Sequence, residues 1–279
     1  MSHFRDENHA WVRSQQFYDV NLSDLLALNQ DWISQSSSKE ERPKAWLMDL
    51  DSTLFCVATR FQRIYEKFLR MQDTVDARLF SVVPTISSAN HTYSVAESFY
   101  NLISRAFQGN LPLVEELFQK NFPEFRVFWE QEFFCDRHIQ FDQAYPGAAE
   151  FVKKIKDQKI EIIYLTGRDR MRSSTGTLWA LKNQGFPTGQ GTRLVMKPHA
   201  TESDSEFKYR AANILNSQFQ ILATIDNEPE NLFVFSKALP HSEIVFFHSI
   251  MSRRNPPDFF KKILGDRKIY RLKSFKTDF

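Results

Sequence analysis

With 279 residues, 42% hydrophobic and 25% charged, the chain has the make-up of a globular protein of one large domain or two small ones. A formal charge of +2 falls short of the basic footprint of a nucleic-acid binder, and two cysteines, Cys56 and Cys135, cannot build a disulfide framework. No run approaches the roughly 18 apolar residues that cross a bilayer, and the opening MSHFRDENHAW has no apolar signal region. A soluble, cytoplasmic protein is expected. The 27 phenylalanines are the outlier and predict a core or a lid filled with rings.

In chain order, residues 1–42 read as a helical N-terminal extension. Leu22, Leu25, Leu26 and Leu28 set a short helical pattern, Ser23 is the expected N-cap, and the polar run 35–42 is a linker. Ala45-Trp46-Leu47-Met48 is then a short apolar run that stops at Asp49. Such a run suits a strand buried on both faces of a parallel sheet. Runs of the same kind return at 160–165, 193–196, 219–225 and 243–247. Helical patterns at 148–156, 171–184, 207–216 and 230–238 separate them. Strands alternating with helices predict an α/β fold, a Rossmann-like parallel sheet with helices on both faces. Residues 59–140 break this rhythm. Phe61, Ile64, Tyr65 and Phe68, then Val95, Phe99 and Leu102, then Phe125, Phe128 and Trp129, all sit at helical spacing. They predict an inserted all-helical domain between core segments 43–58 and 141–279.

Four short segments carry chemistry. Asp49-Leu50-Asp51-Ser52-Thr53 follows the first strand; two carboxylates at a strand end repel unless a positive charge, such as a divalent metal, lies between them. A solvated loop is the plainer alternative. Thr166-Gly167-Arg168 ends the second strand with a hydroxyl and a close backbone N–H, a way to hold a phosphate oxygen. Lys208 lies in the first turn of a helix opened by Ser203, Asp204 and Ser205. Asp226 ends another strand, with Glu228, Pro229 and Glu230 behind it. All four fall at or beyond the carboxyl ends of predicted strands, where open parallel sheets bind ligands.

In these motifs, and in their order, the sequence resembles the haloacid dehalogenase-like (HAD) hydrolase superfamily, over 43–58 and 141–250. The Thr166-Gly167-Arg168 and Phe207-Lys208 flavour is nearest to its acid-phosphatase-like members. The resemblance implies Asp49 as nucleophile and Asp51 as the acid and base. It implies Thr166, Gly167 and Lys208 on the phosphoryl group, and Mg²⁺ on Asp49, the Asp51 carbonyl and Asp226. It further implies a phosphomonoester hydrolase acting on a small phosphorylated metabolite, because Asp51 is absent from members that cleave carbon–halogen bonds. A phosphotransferase of the same fold, or a catalytically silent scaffold used for binding, are the alternatives. Many relatives carry Asp where Glu230 stands, so its part in the metal shell is open. The insert corresponds to a C1-type cap, and the 41 residues between Thr166 and Lys208 leave no room for a second one.

Arg60, Arg63, Lys67, Arg70 and Arg105 are cap cations that could meet a substrate's anionic groups, or plain solvated helix residues. Lys197 is a rival to Lys208 for the third motif. From Arg253 onward the chain carries nine Lys or Arg against three acids. A helix and strand on the core with lysines outward is expected there, and neither nucleic acid nor a membrane is expected as a partner. The sequence leaves the oligomeric state open.

Overall fold

The computed structural model describes residues 10–36, 42–71, 75–85, 92–108, 110–252 and 260–276. Most of the expected linker and the start of the basic tail lie outside them. In chain order the elements are α1 (Ala10–Ser14), β1 (Tyr18–Val20), α2 (Leu22–Gln35), β2 (Lys44–Met48), β3 (Phe55–Cys56) and α3 (Ala58–Leu69). A 3₁₀ segment (Ala77–Thr85) follows, then α4 (Val95–Ala106), α5 (Leu111–Glu132), α6 (Asp136–Ile139), β4 (Gln143–Ala144) and α7 (Ala148–Asp157). The remainder is β5 (Glu161–Asp169), α8 (Arg170–Asn183), β6 (Thr192–Lys197), α9 (Asp204–Gln218), β7 (Gln220–Asp226), α10 (Pro229–Ala238), β8 (Glu243–Phe247), α11 (Phe260–Leu264) and β9 (Ile269–Leu272). The chain divides into two compact units. One comprises Met1–Cys56, Ala144–Ser174 and Leu181–Phe279; the other comprises Val57–Gln143 and Thr175–Ala180.

The first unit is an α/β fold on a seven-stranded sheet in the order β1-β9-β8-β7-β2-β5-β6, with every pairing parallel. Side chains alternate along a strand, so β2 faces two helical layers. Ala45 and Leu47 join Phe207, Ala211 and Leu215 of α9 and Leu232 and Phe235 of α10 in one core. Trp46 points the other way. Its ring lies 5.6 Å from that of Phe151 in α7 and 6.0 Å from that of Trp32 in α2. Its indole N–H donates to Asn29 at 2.8 Å, so the buried polar tip is satisfied.

The N-terminal segment is more than a helical extension, which corrects the expectation. Tyr18–Val20 forms the outer strand of the sheet, paired with β9, and Trp11 and Val12 join the same core as α9. A three-residue strand is too short to show a period. The cap of α2 is also shifted. Asn21, not Ser23, is the N-cap, in a reciprocal pair with Asp24. In the tail, α11 and β9 bring Leu264, Ile269 and Tyr270 into the interior, with Lys262 outward.

The second unit is helical among its described residues, apart from the fragment of β4. Its core gathers Phe61, Ile64, Tyr65 and Phe68 of α3, Phe99 and Leu102 of α4, and Phe125 of α5. Phe99 and Phe125 stack with centroids 4.4 Å apart, and Tyr65 stacks on Phe125 at 4.9 Å. Much of the phenylalanine excess goes here. Arg60 and Glu132 are among the charged groups buried in this unit. Arg60 donates its Nε to Asp142 Oδ1 at 2.9 Å and its Nη2 to Oδ2, both side chains being fully buried. Glu132 takes Lys67 at 3.0 Å, Arg137 at 2.9 Å and His138 at 2.6 Å. Arg60 and Lys67 are thus tied within the unit, Arg60 buried and Lys67 partly exposed, and Arg63 lies over the Phe141 ring at 3.7 Å. Arg70 and Arg105 are exposed. No helix among the described residues is long and apolar enough to cross a membrane.

Candidate active site

The site grows from the carboxyl end of β2. Asp49 leaves the strand with its N–H still donating to Ile225 O at 3.0 Å, so its backbone is fixed by β7. The chain then turns tightly. The N–H groups of Thr53, Leu54 and Phe55 all converge on Leu50 O, and Ser52 N donates to Phe55 O at 2.8 Å. Ser52 adopts φ 60°, the left-handed region that costs a non-glycine residue energy and that functional loops retain. This turn points the Thr53 hydroxyl back at Asp49. It donates to Asp49 Oδ2 at 2.9 Å and receives the Asn227 N–H at 3.1 Å.

Lys208 supplies the facing charge. The helix α9 starts at Asp204, capped by Ser203, so Lys208 is its fifth residue and not in its first turn as expected. It is therefore set back from the positive end of the helix dipole. Its Nζ lies 2.6 Å from Asp49 Oδ1 and 2.7 Å from Asp226 Oδ2, with all three side chains buried. Burial alone would lower the Lys208 pKa, but Asp226 and Asp49 outweigh it and hold the ammonium above its ordinary range. Burial pushes Asp49 up to about 7 against the pull of Lys208, with Asp226 and Asp51 adding to the rise.

Asp226 is held from its own loop. Glu228 N–H donates to Oδ1 at 2.8 Å, and the buried Asn231 amide reaches both oxygens at 3.1 Å. Glu230 points elsewhere: it accepts from Ser205 Oγ at 3.0 Å, tying α10 to α9. A loop the sequence reading left aside closes this side. Ser249, just beyond β8, donates its hydroxyl to Ser52 O; Asn227 donates to Ile250 O at 2.5 Å, and Ser252 N–H to Glu228 at 2.8 Å.

The second loop leaves the neighbouring strand, since Met48 lies opposite Tyr164. β5 does not end at a turn as expected. It runs on through an irregular stretch between Thr166 and Asp169, where the register with β6 shifts. Thr166 is buried, and its hydroxyl accepts the Arg168 N–H at 3.3 Å. A Cβ on Gly167 would come within 2.6 Å of the Asp204 carboxylate, which would have to move aside. Lys197, the rival lysine, is turned to Asp204 at 2.5 Å and not to Asp49.

The structure thus brings Asp49, Lys208 and Asp226 into direct contact and puts Thr166 on the adjacent strand. Asp51 is held by Arg168, whose Nε and Nη2 lie 3.1 and 2.5 Å from its Oδ1. Arg168, Thr53, Asn227, Asn231 and Ser249 were given no role from sequence. The asparagines flank a motif acid and could have been flagged; a lone serine after a strand gives no signal.

The sequence profile of the HAD superfamily, subfamily IIIB (acid phosphatase), matches residues 121–232, a stretch that includes Thr166, Gly167, Lys208 and Asp226. The match spans less than half of the chain. The matched family is one of phosphatases. Asp49 and Asp51 precede the matched stretch, and their place rests on the contacts above. No curated protein matches the chain. Among solved structures it is similar to a haloacid dehalogenase-like hydrolase from Streptococcus pneumoniae, at 12% identity over 84% of this chain and 95% of that one, TM-score 0.44. It is also similar to a class C acid phosphatase from Bacillus anthracis with tungstate bound, at 14% identity over 74% of this chain and 61% of that one, TM-score 0.37. A third is a predicted phosphoglycolate phosphatase from Haemophilus somnus, at 14% identity over 84% and 95%, TM-score 0.43.

HAD proteins are generally metal-dependent, and the donor set here fits a hard divalent cation. Among the described residues no three His, Cys, Asp or Glu side chains gather as a metal-holding group. The implied set needs only two carboxylates, Asp49 and Asp226, with the Asp51 carbonyl. Two buried carboxylates face one ammonium, so a second positive charge suits the site.

Proposed function

We propose that this protein is a HAD-type phosphatase, a Mg²⁺-dependent phosphomonoester hydrolase that works through an aspartyl-phosphate on Asp49. The observation that carries the reading is the Lys208 ammonium within 2.7 Å of both Asp49 and Asp226 at the carboxyl edge of the sheet. An anionic carboxylate cannot approach an anionic phosphate ester without positive charge at that point, and phosphoryl transfer depends on positioning and charge more than on covalent devices.

An Asp49 oxygen attacks phosphorus, and the bond to the leaving oxygen breaks. The leaving oxygen takes the electron pair and a proton from Asp51. Asp51, now a carboxylate, takes a proton from water as the water oxygen bonds to phosphorus. The bond to Asp49 breaks and the carboxylate is restored. Thr53 keeps Asp49 turned for attack, and Lys208 balances the charge. Thr166 and the Gly167 N–H hold the phosphoryl oxygens. Asp49, the Asp51 carbonyl and Asp226 would hold Mg²⁺, which when bound would supply charge neutralisation on the phosphoryl group. The helical unit, inserted in the chain between the first and second loops, is in this reading the cap, and the substrate is a small phosphorylated metabolite.

Turnover of 4-nitrophenyl phosphate tests the proposal. EDTA should abolish it, Mg²⁺ should restore it, and Ca²⁺, which prefers longer bonds and more ligands, should support it poorly. Full activity in chelator would contradict the site. Phosphate release from sugar phosphates, nucleotides and amino-acid phosphates then identifies the substrate class.

A further inference from the structure

We propose that Arg168 is a positioning residue for proton donation: its guanidinium fixes the Asp51 carboxyl in the orientation from which it protonates the leaving oxygen. The proposal rests on the reading of Asp51 as acid and base.

Asp51 needs an anchor. Its side chain is 24% exposed, while that of Arg168 is completely buried. A partly solvated aspartate can turn about its side-chain bonds, and each wrong rotamer aims the proton away from the leaving oxygen. The structure removes that freedom from one side. Nε and Nη2 of Arg168 both donate to the same oxygen, Oδ1, at 3.1 and 2.5 Å. Two charged N–H bonds to one oxygen hold the carboxyl against rotation. The arginine thus sets where the carboxyl points.

Arg168 is itself held along its length. Its N–H donates to the Thr166 hydroxyl at 3.3 Å, and its guanidinium carbon lies 5.5 Å from the Phe55 ring centre. Phe55 closes the tight turn that carries Asp51, bridged to it through the backbone. The loop that presents the phosphate ligands therefore also sets the acid, and the two are spaced by the single residue Gly167. Only a planar fork places two donors on one oxygen from a buried position; lysine keeps the charge and loses that geometry.

The chemistry predicts a signature that loss of folding would not give. Departure of a basic alkoxide needs a proton, whereas 4-nitrophenolate leaves without one. kcat/KM covers the steps up to release of the alcohol, so its dependence on leaving-group basicity reads proton donation alone, apart from the later role of Asp51 with water. Arg168→Ala and Arg168→Lys are compared with wild type and Asp51→Asn on 4-nitrophenyl, phenyl and glycerol phosphates. Arg168→Ala is expected to lower kcat/KM on the order of 100-fold with glycerol phosphate and less than about fivefold with 4-nitrophenyl phosphate. Lysine is expected to fall between alanine and wild type, and added guanidinium ion to restore part of the alkyl-phosphate activity of the alanine variant.

An equal loss on all three esters would overturn the proposal and make Arg168 a residue that binds phosphate or holds the fold. If Arg168→Ala does not fold, the lysine variant decides: a steeper leaving-group dependence than wild type supports the proposal, and an unchanged one overturns it. A flat response in Asp51→Asn, with Asp49→Asn inactive, would instead remove Asp51 as the proton donor, a failure of the underlying reading.

Discussion

The two units bury charge in different ways. In the helical unit the buried ions join one element to another: Arg60 of α3 is locked to Asp142 beyond α6, and Glu132 at the end of α5 is shared by Lys67, Arg137 and His138. In the α/β unit, Asp49, Lys208, Asp226, Thr53 and Asn231 form one connected set at the ends of β2 and β7, with two carboxylates on a single ammonium. The first arrangement answers each of its two buried acids with at least one cation. The second leaves an excess of acid, and burial holds Asp49 up to about 7. A buried ion pair is weak evidence for function; a buried surplus of one sign is stronger evidence, because such a surplus is costly unless a ligand offsets it.

The sharpest way to break this comparison is to make the two kinds of site swap their phenotypes. Asp49→Asn keeps the shape of the side chain and the Thr53 contact but cannot form an acyl phosphate. It should lower kcat on the order of 10⁴-fold or more while the thermal midpoint stays close to wild type. Residual turnover above about one per cent, after control for contaminating phosphatase, would remove Asp49 from its role.

Asp142→Ala should do the reverse. It strands Arg60 as a buried, uncompensated charge, which costs about 3–5 kcal/mol of stability. The double variant Arg60→Met with Asp142→Leu should recover most of that loss, because well-packed apolar residues replace a buried pair at little cost. Denaturant unfolding of the three proteins decides it. A single variant as stable as wild type would show that the pair contributes nothing to the helical unit.

What could be read from sequence follows the same division. Strands β2, β5, β7 and β8 are buried on both faces and so appear as unbroken apolar runs. β1 escapes notice because Tyr18-Asp19-Val20 is three residues long and its Asp19 faces Arg271 across the outermost pairing, at 2.5 Å. In the candidate site, Asp49 and Asp226 were visible because an apolar run that stops at an acid stands out in one dimension. Arg168 was quoted within a motif but given no task, since its partner Asp51 lies 117 positions away. Ser249 meets Ser52 across 197 positions. Such contacts exist only once the sheet has set its strand order, and no local pattern announces them.

A gentler test uses pH. The folded Asp49 carboxyl titrates near 7, above the ordinary range for aspartate near 4, so its protonated form is favoured by folding. The stability this contributes is complete below about pH 4 and is lost as pH rises through about 7. A cation that binds the carboxylate competes with that proton. Mg²⁺ should therefore raise the thermal midpoint by several degrees at pH 8 and by little at pH 5. The shift should also shrink in Asp49→Asn. Equal shifts at both pH values would place the metal away from Asp49.

The smallest effect separates the two lysines. Lys208→Ala leaves Asp49 and Asp226 facing each other without their shared cation, and should cost on the order of 100-fold in kcat/KM. Lys197 is nearly as buried, yet its Nζ is spent on Asp204 at the start of α9, the carboxylate that packs on Gly167. Asp204 is half exposed, so water can replace the lost partner and the pair adds little to stability. Removing Lys197 slackens the start of α9 by one contact while the Ser203 cap and the Glu230–Ser205 bond remain. Lys208, one turn farther on, keeps its place between the two acids. Lys197→Ala should thus cost less than about tenfold in kcat/KM, with the loss appearing in both kcat and KM because the second loop shifts slightly. If Lys197→Ala proves the more damaging variant, the charge that the reaction needs comes from the sheet edge and not from α9, and the assignment of Lys208 fails with it.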